Sequence, residues 1–298
     1  MKNDELINNI KRDFSNSLKL NYDPENLSTF CLILGPYRNL TTLLSAIVSL
    51  HPNAQVLNHA YDRVVNIQNL NIFTNYDKEK FKTLINYIIE ISAEGTRGSY
   101  GGSILHSHAY ANHPQMRETY QERYGENKVK DEIKSIVWKE SLSVTRYIKS
   151  PQTDDIRNLL EQCPQLRLLL PIRNPIDCAI SNLQTGTMAQ VLTGSEKPTF
   201  EMCLKTILSE VEWFDKLMIE FPDQMMMFSQ NQFNPKGINS LASFLEIDCT
   251  DAWQQDVKKA VDLKPSYQVE QPVKDYYISS IKALDISPST LETLNSFL

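Results

Sequence analysis

The run Thr29-Phe30-Cys31-Leu32-Ile33-Leu34-Gly35-Pro36-Tyr37-Arg38-Asn39-Leu40-Thr41-Thr42-Leu43-Leu44 decides the fold. Its first six residues read as a buried strand, Gly35-Pro36 as a turn, and the apolar residues from Thr41 onward recur at helical spacing. Strand, loop and helix N-terminus in that order make an anion site. Unpaired backbone N–H groups and the helix dipole face the loop, Arg38 adds a fixed positive charge, and Thr41 and Thr42 add hydroxyl donors. A second segment repeats the pattern: the apolar run Leu168 to Ile172 leads into Arg173-Asn174-Pro175-Ile176-Asp177-Cys178-Ala179-Ile180-Ser181.

Outward from these segments, strands alternate with helices. Leu6, Ile7, Ile10, Phe14 and Leu18 give an amphipathic helix over 4–18. Helices are expected over 41–50, 78–93, 201–220 and 237–245, and strands over 55–57, 136–138 and 224–228. This alternation predicts an α/β fold of three layers, a mostly parallel sheet flanked by helices, in a single domain spanning 1–298.

With 298 residues, 41% hydrophobic and 22% charged, the chain can bury a substantial core. It has no apolar run near the ~18 residues that span a bilayer, and its first residues are polar with alternating charges. A cytoplasmic protein without membrane contact is expected. The five cysteines are dispersed with no C-x-x-C pair, which favours reduced thiols. The net charge of −6 disfavours a broad basic face for nucleic acid and long polyanionic glycans as substrates. Arg38 and Arg173 can still form a local basic pocket. A small, neutral or cationic partner molecule is expected, and oligomeric state is not readable.

The two segments resemble the sulfotransferases that use 3'-phosphoadenosine 5'-phosphosulfate (PAPS). That family's first motif has Pro, one or two residues, a basic residue, Ser-Gly-Thr-Thr and a helix, and it binds the 5'-phosphosulfate. Pro36, Arg38, Thr41 and Thr42 match it, while Asn39 and Leu40 replace Ser and Gly. If the Gly position needs positive φ, Leu40 is strained there. The second motif binds the 3'-phosphate through an Arg and a Ser eight positions later, and Arg173 and Ser181 match it fully. A looser third similarity is the stretch Phe228 to Pro235 with Phe244-Leu245, in which amides stand where acids are usual. The resemblance therefore implies a P-loop-like sulfotransferase fold, with PAPS as donor and PAP as product, held by Tyr37, Arg38, Asn39, Leu40, Thr41, Thr42, Arg173 and Ser181. A late basic segment, Leu263-Lys264-Pro265-Ser266-Tyr267, is expected near the adenosine, with Lys264 as its cation.

Sulfuryl transfer places growing negative charge on the leaving phosphate, which Arg38 and the helix N-terminus are placed to stabilise. A neutral hydroxyl or amine acceptor needs a general base. His59, 21 positions after Arg38, is the first candidate, since histidine titrates near neutrality and the family's tyrosylprotein branch has a catalytic Glu at the matching place. Lys139 matches the Lys of a Lys-x-His found in cytosolic members, and Ser141 stands where their base would be. Glu140 is the second candidate base. The Gly-, Tyr- and His-rich segment 97–127 reads as a lid whose His106, His108 and Tyr110 meet the acceptor, with a solvated connection as the plain alternative. A metal at His106, His108 and His113 is not favoured, because no Cys or H-E-x-x-H completes a ligand set.

Other phosphate-loop chemistries fit less well. Leu40 and Thr41 replace the second Gly and the Lys of a G-x-x-x-x-G-K-[ST] loop, and a G-x-G-x-x-G is missing. Two further readings stay open: a degenerate sulfotransferase-like binding or scaffold protein, and a nucleotide-handling relative such as a kinase.

Overall fold

The computed structural model describes residues 2–93, 101–125, 129–187, 197–263 and 266–298. Five strands form its sheet: β1 (Thr29–Ile33), β2 (Ala54–Asn58), β3 (Ser135–Lys139), β4 (Leu166–Ile172) and β5 (Met225–Ser229). Their order is β2-β3-β1-β4-β5 and every pairing is parallel. The helices are α1 (Lys2–Ser17), α2 (Thr41–Ser49), α3 (Tyr61–Val65), α4 (Lys78–Ser92), α5 (His108–Asn112), α6 (Pro114–Tyr124), α7 (Leu142–Ile148), α8 (Ile156–Gln162), α9 (Pro175–Thr185), α10 (Phe200–Glu220), α11 (Pro235–Phe244), α12 (Asp251–Ala260), α13 (Gln271–Lys282) and α14 (Pro288–Asn295).

Strand side chains alternate between two cores, as a period of two requires. Phe30 and Leu32 point into a core shared with α4, α8, α9, α10, α13 and α14. Cys31 and Ile33 point into one shared with α2, α5, α6, α11 and α12. Both faces are covered, so strands β1 to β4 are apolar almost throughout rather than alternating with polar residues. The three-layer, parallel α/β architecture is as expected from the sequence. Among the described residues no helix is long and apolar enough to cross a membrane. All five cysteines are free.

The chain leaves β1 toward β2 on one side and leaves β4 toward β5 on the other. A crevice therefore opens between β1 and β4 at their C-terminal ends, where open α/β sheets bind ligands. The two motif loops flank it.

The segment expected to be a lid departs from that reading. Residues 94–100 and 126–128, Arg97 and Gly98 included, lie outside the described residues. The described part makes an antiparallel bridge from Ser103 to Leu57, a 3-10 turn at Ile104–His106, then α5 and α6. Tyr110 and Tyr120 pack edge to face against α2's core, and the Tyr110 hydroxyl lies 2.7 Å from Ser49 Oγ. Tyr110 is 1% exposed, so it is a core residue and not an acceptor contact. These aromatics are a buried helix face.

Candidate functional site

The loop after β1 is held from three sides. Gly35 has φ 105°, a conformation that side-chain-bearing residues rarely adopt, and a Cβ there would press on the end of the Leu170 side chain. Its N–H donates to Thr145 Oγ1 at 3.0 Å. The Tyr37 carbonyl accepts from Asn182 Nδ2 at 2.8 Å, while the Tyr37 hydroxyl meets Ser143 Oγ. Asn39, 2% exposed, turns its amide inward. Its Nδ2 donates to the Pro171 carbonyl and its Oδ1 accepts from the Arg173 N–H at 2.9 Å.

Left-handed residues flank this clamp, Arg38 at φ 64° and Leu40 at φ 62°. Leu40 holds this positive φ at a strain of order 1–3 kcal/mol. Leu40 is the N-cap of α2 and supplies no side-chain cap. The first N–H groups of α2 thus remain available to an anion together with the hydroxyls of Thr41 and Thr42.

The second loop starts as β4 ends. Asn174 caps α9 by accepting from the Ile176 N–H, and Pro175 fills the first helical position, where a missing N–H costs nothing. Gln230 Oε1 accepts from the Asn174 N–H at 3.1 Å, while Asn234 caps α11. The amides of Gln230 and Asn234 therefore brace turns. Asp177 and Ser181, four residues apart, share one face of α9, and Arg173 lies just before the helix's cap. Arg173 Nη2 lies 4.0 Å from Asp177 Oδ2. Arg38 Nε donates to Ser181 Oγ at 3.0 Å, so its guanidinium rests on α9 instead of over α2's first turn, where the sequence reading placed it. Tyr267 runs alongside: its N–H donates to Asp177 Oδ1 and its hydroxyl to Gln184 Oε1. Lys264 lies outside the described residues.

The third element sits at the ends of β2 and β3. Asn58 and Lys139 are in register, and the His59 N–H donates to the Lys139 carbonyl at 3.0 Å. His59 (φ 59°) and Ala60 (φ 147°) turn the chain sharply there. Lys139 Nζ lies 2.7 Å from His59 Nε2, and His59 Nδ1 lies 3.4 Å from Glu140 Oε2. With the ammonium donating to Nε2, the ring proton sits on Nδ1 and points at Glu140. Burial lowers the Lys139 pKa to about 8, with Glu140 opposing the shift.

Glu140 is 2% exposed. Its Oε1 accepts from the Tyr61 N–H at 2.9 Å and from Trp138 Nε1 at 3.1 Å. A carboxylate so enclosed orients His59; it is not positioned to take a proton from an incoming acceptor, which corrects its reading as a second base.

His106 lies in the 3-10 turn, half-buried, and His108 is exposed in α5's first turn. Among the described residues no group of three His, Cys, Asp or Glu side chains gathers to hold a metal. A cavity of about 550 Å³ opens between α11 and α12, lined by Phe233, Asn234, Pro235, Ile238, Gln254 and Lys258 among others, and no residue of the two phosphate-loop segments lines it.

Sequence reasoning missed Thr145, Asn182 and the Asn39 clamp. Asn39 alone carried a signal, as a departure from the motif.

No protein-family model and no curated protein matches the chain. Among solved structures, it is similar to the sulfotransferase domain from the Synechococcus PCC 7002 olefin synthase at 13% identity, covering 91% of this chain and 95% of that one, with a TM-score of 0.42.

Proposed function

We propose that this protein is a PAPS-dependent sulfotransferase acting on a hydroxyl or amine of a small, neutral or cationic metabolite. The observation that carries this is the convergence of the two motif loops, with Arg38 Nε 3.0 Å from Ser181 Oγ across the crevice between β1 and β4. The uncapped N-terminus of α2 with Thr41 and Thr42 suits the 5'-phosphosulfate, and Arg173 and Ser181 suit the 3'-phosphate. The donor supplies an electrophilic sulfur bound to a phosphate leaving group.

The acceptor's lone pair forms the new bond to sulfur as the bond from sulfur to the phosphate oxygen breaks, with its electron pair passing to that oxygen. His59 Nε2 takes the acceptor's proton, once Lys139 releases its bond to that nitrogen. Glu140 holds the ring and stabilises the imidazolium that forms. Lys139, as an ammonium, and the α2 N–H groups face the negative charge that grows on the leaving oxygen.

Thermal melts test the donor assignment. PAP is expected to stabilise the fold by RT ln(1 + [L]/Kd) and so raise its melting temperature, while ATP, lacking a 3'-phosphate, gives a much smaller rise. Equal shifts would point to a kinase-like nucleotide site. No shift with either would remove the proposal.

A further inference from the structure

The sequence pattern sets Arg38 against the sulfuryl end of the donor; the side chain goes elsewhere. Asn39 is pinned to β4 through Pro171 and Arg173, and the left-handed turn at Arg38 comes immediately before it. The side chain of Arg38 therefore leaves the loop toward α9 and donates from Nε to Ser181 Oγ. Ser181 is buried on the face of α9 that also carries Asp177, and Arg173 stands just before the cap of that helix, 4.0 Å from Asp177.

We infer that Arg38 is a 3'-phosphate ligand, so that two guanidiniums, Arg38 and Arg173, read the 3'-phosphate of the nucleotide. The inference rests on the PAPS site proposed above.

Charge makes the second guanidinium necessary. Arg173 already faces the Asp177 carboxylate at 4.0 Å, and this pair sums to zero. A phosphate ester carries a charge of about −1.5 to −2 at neutral pH and would meet no net attraction from the pair alone. Arg38 restores a net positive charge on this face of α9, and its planar fork suits phosphate oxygens. Ser181 then holds Arg38 in place as well as contributing its own hydroxyl. The sulfuryl end is left to the α2 N–H groups and Lys139, so Arg38 sets preference for a 3',5'-bisphosphate nucleotide over a 5'-substituted one.

Calorimetric titration of PAP and adenosine 5'-phosphosulfate, with competition where binding is weak, tests this on the parent, Arg38→Ala and Arg38→Gly. Arg38 is exposed, and glycine accepts its positive φ without strain, so the Gly variant separates a lost guanidinium from a strained backbone. Both variants are expected to bind PAP about 10- to 150-fold more weakly. Their affinity for adenosine 5'-phosphosulfate is expected to stay within about two-fold of the parent, because that ligand has no group for Arg38 to lose. Equal losses for the two ligands, or no loss of PAP, would overturn the assignment of Arg38 and leave the donor site standing. A parent that binds neither ligand would instead overturn the donor site itself.

Discussion

At the scale of single residues, the candidate site gathers four residues in uncomfortable backbone conformations. Arg38, Leu40, His59 and Ala60 all have positive φ without being glycine. Such conformations persist only where surrounding contacts over-determine them. For the phosphate loop that contact is Asn39, and Asn39→Ala is expected to lower stability by about 2–4 kcal/mol in urea unfolding, since it strands the Pro171 carbonyl and the Arg173 N–H in a buried place. A change below about 0.5 kcal/mol would show that the clamp is idle. The sequence shows Asn39 as a departure from a motif but not as a clamp, because its partners lie 132 and 134 positions away.

His59 and Lys139 give a second residue-scale prediction. His59→Gln keeps size and polarity but not basicity, so turnover is expected to fall on the order of 10²–10⁴-fold with PAP affinity retained. Lys139 loses its proton as pH rises through about 8, so turnover in the parent is expected to decline above that value. Lys139→Arg keeps the charge and should move the decline to higher pH. A decline at the same pH in parent and variant would separate Lys139 from the chemistry.

At the scale of elements, the long helices and central strands were legible because their apolar residues repeat over several turns or fill a whole strand. The C-terminal helices α12, α13 and α14 were not read from the sequence, nor were α3, α7 and α8. Helices α3, α7 and α8 run only five to seven residues, too short for a periodic pattern. The lid reading failed for a related reason: Tyr110, Tyr120 and Tyr124 looked like an aromatic surface, yet they belong to α5 and α6, with Tyr110 and Tyr120 buried.

Those same rings enclose Lys130. Its Nζ is buried 4.4 Å from the centroid of Tyr120 and 3.0 Å from that of Tyr124, with no hydrogen-bond partner among the described residues. Burial lowers its pKa from 10.5 to about 7. Between those values the unfolded chain holds a proton that the folded chain lacks, so stability rises with pH across that window. The parent is expected to gain, from pH 7 to 9, on the order of a few kcal/mol more than Lys130→Met, measured by denaturant unfolding at each pH. Parallel pH profiles would show that Lys130 keeps its proton in the fold.

For the whole molecule, the strand order was not legible, because nothing in the sequence says which strands become neighbours. That order is what brings three distant segments to one end of the sheet. Ile33, Asn58 and Lys139 end together because β1, β2 and β3 are in register, and β4 brings Arg173 beside the β1 loop. The net charge of −6 leaves room for this local cationic face, since field strength in a cleft depends on nearby groups. Arg38, Glu140 and Tyr110 depart from their sequence reading because side-chain direction, which spacing does not encode, sets what each one meets.

The most direct measurement of the central claim is transfer of label from radiolabelled PAPS into the small metabolites of a cell extract, with released PAP counted in parallel. The parent is expected to release PAP and label a small product together, and His59→Gln to bind PAP while doing neither at a comparable rate. A parent that binds PAP tightly yet releases none and labels nothing would contradict the account, leaving a nucleotide-binding protein without transferase chemistry.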